Sequence, residues 1–99
     1  DPLKALDIFN AAPESFDLVI TDQLMPVMSG HEMALSMRRV RSGLPVIICS
    51  GSEEALRKIR SSNEGFSLLI SKPFTSQELN TVICRVLGGG ALHFHETVL

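Results

Sequence analysis

Three polar residues each close an apolar run: Asp22 follows Leu18-Val19-Ile20-Thr21, Ser50 follows Val46-Ile47-Ile48-Cys49, and Lys72 follows Leu68-Leu69-Ile70-Ser71. A carboxylate, a hydroxyl and an ammonium are the parts of a phosphoryl-accepting site. The carboxylate can attack a phosphoryl donor to give an aspartyl phosphate. The hydroxyl can then donate to the product's oxygens while the ammonium offsets their charge. Taken singly, each residue reads equally well as a solvated group at the end of a strand. Their occurrence at three consecutive strand ends makes that ordinary reading much weaker.

The elements that must position them follow from pattern. Asp1-Pro2 is a helix start, and Leu3, Leu6 and Phe9 recur at helical spacing, which predicts a helix to about residue 12. Residues 16–21 form an apolar run of the kind buried on both faces, a strand. After a loop over 22–30, Ser29 with Glu32 makes a capping box, and Met33, Met37 and Val40 mark one helical face. Gly43 closes that helix and 44–50 is a second strand. Ser52 with Glu53 and Glu54 opens the next helix, whose Leu56 and Ile59 are sparse apolar positions; it reads as the least amphipathic of the set. A third strand over 66–71 ends at Lys72-Pro73, and Thr75 with Glu78 caps a last helix carrying Leu79, Val82, Ile83, Val86 and Leu87.

Helices and strands alternating through short connections argue for an α/β fold with a parallel sheet and right-handed crossovers. In such sheets the site lies at the carboxyl ends of the strands, where Asp22, Ser50 and Lys72 fall.

Three segments carry a family resemblance. Asp17-Leu-Val-Ile-Thr-Asp22-Gln-Leu-Met-Pro-Val-Met-Ser-Gly30 resembles the phosphoacceptor segment of response-regulator receiver domains, Pro45-Val-Ile-Ile-Cys-Ser50-Gly51 their switch-hydroxyl strand, and Ser71-Lys-Pro-Phe74 their lysine-proline turn. The likeness covers roughly residues 2–87, with the three segments in matching order and separation. It implies a flavodoxin-like sheet of strand order 2-1-3-4-5, phosphorylation at Asp22, Ser50 with Gly51 and Lys72 around the phosphoryl group, and a cis bond before Pro73. It also implies Mg2+ bound by Asp22 and the backbone carbonyl of Leu24, a histidine kinase or other phosphodonor as partner, and a cytoplasmic two-component signalling module that is not an enzyme.

Departures from the family pattern qualify this. The first strand with its acidic pair, the first helix and the second strand have no counterpart before Asp1, so residues 1–87 read as a truncated receiver and the magnesium site as incomplete. Phosphorylation is accordingly expected to be weak or absent. Leu69 stands where the family usually carries an aromatic switch residue. The usual partner face offers Arg57, Lys58, Arg60, Gln77 and Asn80, which read more readily as ordinary solvated helix surface.

Composition narrows the alternatives. The 99 residues suit one domain, and nine basic against eleven acidic side chains, a net charge of -2, leave no footprint for nucleic acid. The apolar runs are far shorter than the ~20 residues a membrane span needs. A haloacid-dehalogenase-type phosphatase would want a second aspartate two residues after its nucleophile, where Leu24 stands. A serine hydrolase is disfavoured because Cys49-Ser50-Gly51-Ser52 is not G-x-S-x-G. His93 and His95 in the tail read as incidental rather than as a metal site, and Cys49 and Cys84 as buried free thiols.

The rival to a phosphoacceptor is a phosphorylation-independent interaction or dimerisation module on the same scaffold. The strand around 18–21 would stand at an edge without its family neighbour, which invites pairing. Two routes are open: a homodimer pairing two such edges, which is favoured, or insertion of the tail. Gly88-Gly89-Gly90 reads as a hinge and 91–99 alternates in strand fashion, so 88–99 forms a hinge and tail that could fill that edge in its own molecule or a partner's.

Overall fold

The computed structural model describes residues 1–62, 68–87 and 96–98. Helix α1 (Pro2–Ala11) begins where the Asp1 side chain accepts from the Leu3 N–H at 2.9 Å, with proline in the first turn. A 3-10 turn (Pro13–Ser15) leads into strand β1 (Leu18–Asp22). Helix α2 (Gly30–Val40) and helix α4 (Ser76–Val86) both start with the expected capping boxes, Ser29 with Glu32 and Thr75 with Glu78. Between them lie β2 (Val46–Ser50), α3 (Glu53–Ser61) and β3 (Leu68–Ser71), and β4 (Glu96–Val98) is the last described element.

All pairings are parallel, in the order β3-β2-β1-β4. Helices cover both faces, which is why the strands are continuous rather than alternating apolar runs. On one side α1, α2 and α3 pack Ala5, Phe9, Met33, Ala34, Met37 and Ile59 against Val19, Val46 and Ile48. On the other, Ile83 of α4 meets Leu18, Ile20, Ile47, Cys49 and Ile70. Successive residues of β1 and β2 thus enter different cores, the period of two that a strand imposes.

Several details depart from the sequence pattern. Strand β1 runs from 18 to 22, so Asp22 belongs to the strand, while Phe16 packs on Phe9 with ring centroids 5.7 Å apart. The second strand starts at Val46, although Leu44 ahead of it is fully buried. The third starts at Leu68 among the described residues; positions 66 and 67 lie outside them. In α1 the inward face is Pro2, Ala5 and Phe9, leaving Leu3 49% exposed. Val40 is exposed because α2 ends there, and its core face is Met33, Ala34 and Met37. Helix α3 is sparse in apolar residues but cleanly two-sided, with Leu56 and Ile59 inside and charged neighbours outside. Cys84 is exposed, since the residue after Ile83 points away from the core; Cys49 is buried as expected.

The edge of β1 is covered within the chain. Glu96, Thr97 and Val98 pair in register with Leu18, Val19 and Ile20. This is tail insertion in its own molecule, the less favoured of the two routes, and it occupies the edge that edge-to-edge pairing of two copies would use. The glycine hinge at 88–90 and tail residues 91–95 and 99, with His93 and His95, lie outside the described residues.

Candidate functional site

The parallel ladder brings three strand ends to one rim. Asp22 is level with Cys49, and Ser50 is level with Ser71. Two further backbone bonds hold this rim, from Gln23 N–H to the Cys49 carbonyl at 2.9 Å and from Lys72 N–H to the Ser50 carbonyl at 2.8 Å. Lys72 then reaches back across the rim, and its Nζ lies 2.6 Å from Asp22 Oδ1. Both side chains are a little under half exposed, so the pair is accessible from solvent.

The electrostatics follow from this contact. The hydrogen bond to Asp22 holds the Lys72 ammonium above its ordinary pKa and keeps it charged. Below the rim, burial first and the Asp22 charge second push the Cys49 thiol up to about 11. Cys49 is therefore a protonated core residue and no nucleophile at neutral pH. Ser50 is buried, and its hydroxyl oxygen accepts from the Ser52 N–H at 3.0 Å. Gly51 follows at the start of the β2–α3 connection, where an added Cβ would reach Lys72 Cβ only at 4.0 Å. The Lys72–Pro73 bond is cis.

The approach of α2 fixes the other wall. Gly30 N–H bonds the Gln23 carbonyl at 3.0 Å, and the Gln23 side-chain oxygen accepts from the His31 N–H at 2.9 Å. Thr21 Oγ1 donates to the Asp22 carbonyl at 2.9 Å. Leu24 stands 82% exposed in the loop beyond. Asp22, Ser50, Gly51, Lys72 and Pro73 are thus brought together, with Leu24 on the rim.

The residues present do not fit a magnesium ion. Octahedral ligation by hard oxygens usually draws on one or two carboxylates that face the ion. The Asp22 carboxylate is engaged by Lys72 through its Oδ1, and the Glu53 carboxylate is tied to the Ser71 hydroxyl, so neither faces a shared ion position. Among the described residues no group of three or more His, Cys, Asp or Glu could hold a metal.

Some of the supporting contacts carried no sequence signal. The Ser71 hydroxyl donates to Glu53 Oε1 at 2.8 Å, eighteen residues away. Arg41 Nη1 donates to the Pro13 carbonyl at 3.3 Å and to that of Phe16, holding the turn before β1. Only the closeness of Gly30 had a sequence trace, in the glycine at the helix start.

Comparison with known proteins places this geometry. The sequence profile described as response regulator receiver domain matches residues 1–84. The DNA-binding transcriptional regulator NtrC of Bradyrhizobium sp. (strain RP501 Parasponia) is 37% identical over 71 residues, covering 72% of this chain and 15% of that protein. The crystal structure of a response regulator receiver domain protein from Clostridium thermocellum superposes with a TM-score of 0.80 at 30% identity, covering 89% of this chain and 70% of that one. The response regulator TrrA from Thermotoga maritima, solved in complex with Mg(2+)-BeF, superposes with a TM-score of 0.74 at 25% identity over 88% of this chain and 72% of its own. The chain spans well under half the length of the curated relatives it first matches.

Proposed function

This chain belongs to the response regulator receiver family, and on that premise we propose that Asp22 accepts a phosphoryl group from a histidine kinase or small phosphodonor. The carrying observation is the Lys72–Asp22 contact of 2.6 Å, made across the end of β2 between the ends of two parallel strands. An Asp22 carboxylate oxygen attacks phosphorus as the bond to the donor's leaving group breaks. Lys72 is already placed to offset the charge that gathers on the phosphoryl oxygens. Ser50, one residue past the register partner of Asp22, turns to donate to one of those oxygens, with Gly51 leaving room beside Lys72. Residues 1–87 act as the receiver unit and 88–99 as hinge and tail, working in the cytoplasm as a signalling module rather than as an enzyme.

Phosphoryl acceptance by this segment alone is weak. The Asp22 carboxylate that a magnesium ion would use is already engaged by Lys72, which competes for it. Incubation with magnesium and acetyl phosphate, read by intact mass, should leave most protein unmodified, with the minor adduct absent from Asp22→Asn. Near-complete labelling would refute the weakness; a minor adduct that survives Asp22→Asn would refute the assignment.

A second reading, phosphorylation-independent association with a second copy, draws support from exposed Leu3 and Ile8 on α1. Ile8 lines a groove of about 320 Å³ together with Ala5, Phe9, Phe16, Val19 and Met37. No helix among the described residues is long and apolar enough to cross a membrane, so a bilayer span does not account for this surface. Sedimentation at micromolar concentration should show a dimer that Ile8→Glu dissociates; a monomer at all concentrations removes this reading.

A further inference from the structure

The N-terminus of α3 is fastened to two strand ends at once. On one side, the N–H of its cap residue Ser52 donates to the buried Ser50 hydroxyl at 3.0 Å. On the other, the Glu53 carboxylate accepts from the Ser71 hydroxyl at 2.8 Å. Ser50 and Ser71 are register partners, so both ties spring from one level of the sheet, the level from which Lys72 departs toward Asp22.

These polar ties matter because α3 has little else to hold it. Its buried residues are Leu56, where the first turn closes, and Ile59. The cap's own side chain secures the Ala55 N–H at 3.1 Å, which closes the helix but anchors it to nothing outside. A glutamate in a first helical turn is favourable through the helix dipole without any partner. Glu53 instead reaches a different strand.

The two ties differ in what disturbs them. A change of Ser50 rotamer swings Oγ by about 120° around Cα–Cβ, which carries it away from the Ser52 N–H. The Glu53–Ser71 bond involves no group that faces Asp22, so that motion leaves it intact. Resting on the reading of Asp22 as acceptor and Ser50 as its responding hydroxyl, we propose that Glu53 is a positioning residue. Acting through Ser71, it holds α3 to the lysine-bearing strand end and limits how far the helix is released when Ser50 lets go of the cap.

Amide hydrogen exchange on the full chain, with no phosphodonor, tests this directly, because Ser50→Ala removes the first tie without any chemistry at Asp22. The probes are the amides of α3, with those of Ile47 and Ile48 in β2 as an internal control for global unfolding. Single variants Ser50→Ala, Glu53→Ala and Ser71→Ala should each accelerate α3 exchange about threefold, and Ser50→Ala with Glu53→Ala together by well over the ~tenfold product, since two ties on one element couple. Glu53→Gln still accepts from Ser71 and should exchange like the wild type. Multiplicative behaviour in the double variant overturns the proposal. So does Glu53→Gln behaving as Glu53→Ala while Ser71→Ala is silent, because helix-dipole electrostatics then explain the effect. Glu53 and Ser71 are exposed, so these substitutions leave the core untouched. A failure of Asp22 labelling appears in the mass measurement, and a failure of this inference appears in exchange, so the two are told apart.

Discussion

A Cβ on Gly30 would lie 2.2 Å from the carbonyl oxygen of Asp22 and 3.0 Å from its carbonyl carbon. The obstacle is backbone, which cannot swing aside as a long side chain would. Gly30→Ala must therefore push α2 away from the end of β1 or tilt the Asp22 peptide. It should destabilise the fold by about 1–3 kcal/mol in urea denaturation, the usual range for overpacking. The same displacement should loosen the Lys72–Asp22 contact, visible as a lower Lys72 pKa in an NMR titration of its ammonium. An unchanged midpoint would show that the α2 start can retreat freely.

Residual phosphoryl acceptance should depend on Lys72 more than on Ser50. The ammonium is already in contact with the attacking carboxylate, whereas the Ser50 hydroxyl is engaged with the Ser52 N–H and must first turn. In a labelling time course Lys72→Ala should slow acceptance about tenfold or more and Ser50→Ala only a few-fold, both below the ~100-fold or larger effects seen at enclosed sites. Equal or inverted losses would contradict the ranking.

Arg41 clamps the turn that feeds β1. Its guanidinium serves the carbonyls of Pro13 and Phe16, with Glu14 Oε2 a further 3.7 Å from its Nε. The Glu14 contact is exposed and contributes little, but the carbonyl contacts are part-buried hydrogen bonds to a charged donor. Arg41→Ala should cost roughly 2 kcal/mol in chemical denaturation. Arg41→Lys should recover less than half, since the lysine side chain ends short of the position from which Nη1 reaches both carbonyls.

The two thiols should separate cleanly. Ellman's reagent should find Cys84 at once and Cys49 only after unfolding. Burial moves the Cys49 thiol from 9.0 to about 11, so between those values the folded protein keeps a proton that the unfolded chain releases. Stability must then fall as pH rises through that window. Lys72, raised by Asp22, has the same sign: its contribution is complete below 10.5 and fades as pH climbs through its folded pKa. At the acid end, Glu32 is lowered by the Ser29 N–H, so its contribution holds above 4.5 and is lost as pH drops through the folded value. Equilibrium denaturation across pH should show the alkaline loss, with a shallower slope in Cys49→Ala despite its lower baseline.

The parts of the fold that follow from periodicity were readable in the residues themselves. The runs before Asp22 and Ser50 declared strands buried on both faces, the run before Lys72 declared a third strand, and the Ser29–Glu32 and Thr75–Glu78 pairs located helix starts to within a residue. The inward faces of α1 and α2 were harder to read. Small residues such as Ala5 and Ala34 fill the closest contacts while larger Leu3 and Val40 stand outside, so size misleads where two surfaces approach tightly. The cross-chain polar ties were illegible, because Arg41 and Glu53 look like any solvated helix charge until the partner carbonyls and hydroxyl are brought beside them. Nor does composition foretell Val27, a β-branched residue at φ 77 in the turn after β1.

The pairing of β4 with β1 also dictates an order of assembly. The ladders among β1, β2 and β3 join segments that follow one another in the chain, whereas Leu18 meets Glu96 across the whole of that three-stranded unit. Closing so long a loop for three residues of pairing is entropically the dearest step, so it comes last. Until that step is made, the backbone of Leu18, Val19 and Ile20 lacks the partner that β4 supplies. That interval, rather than the finished fold, is when this edge is open to aggregation.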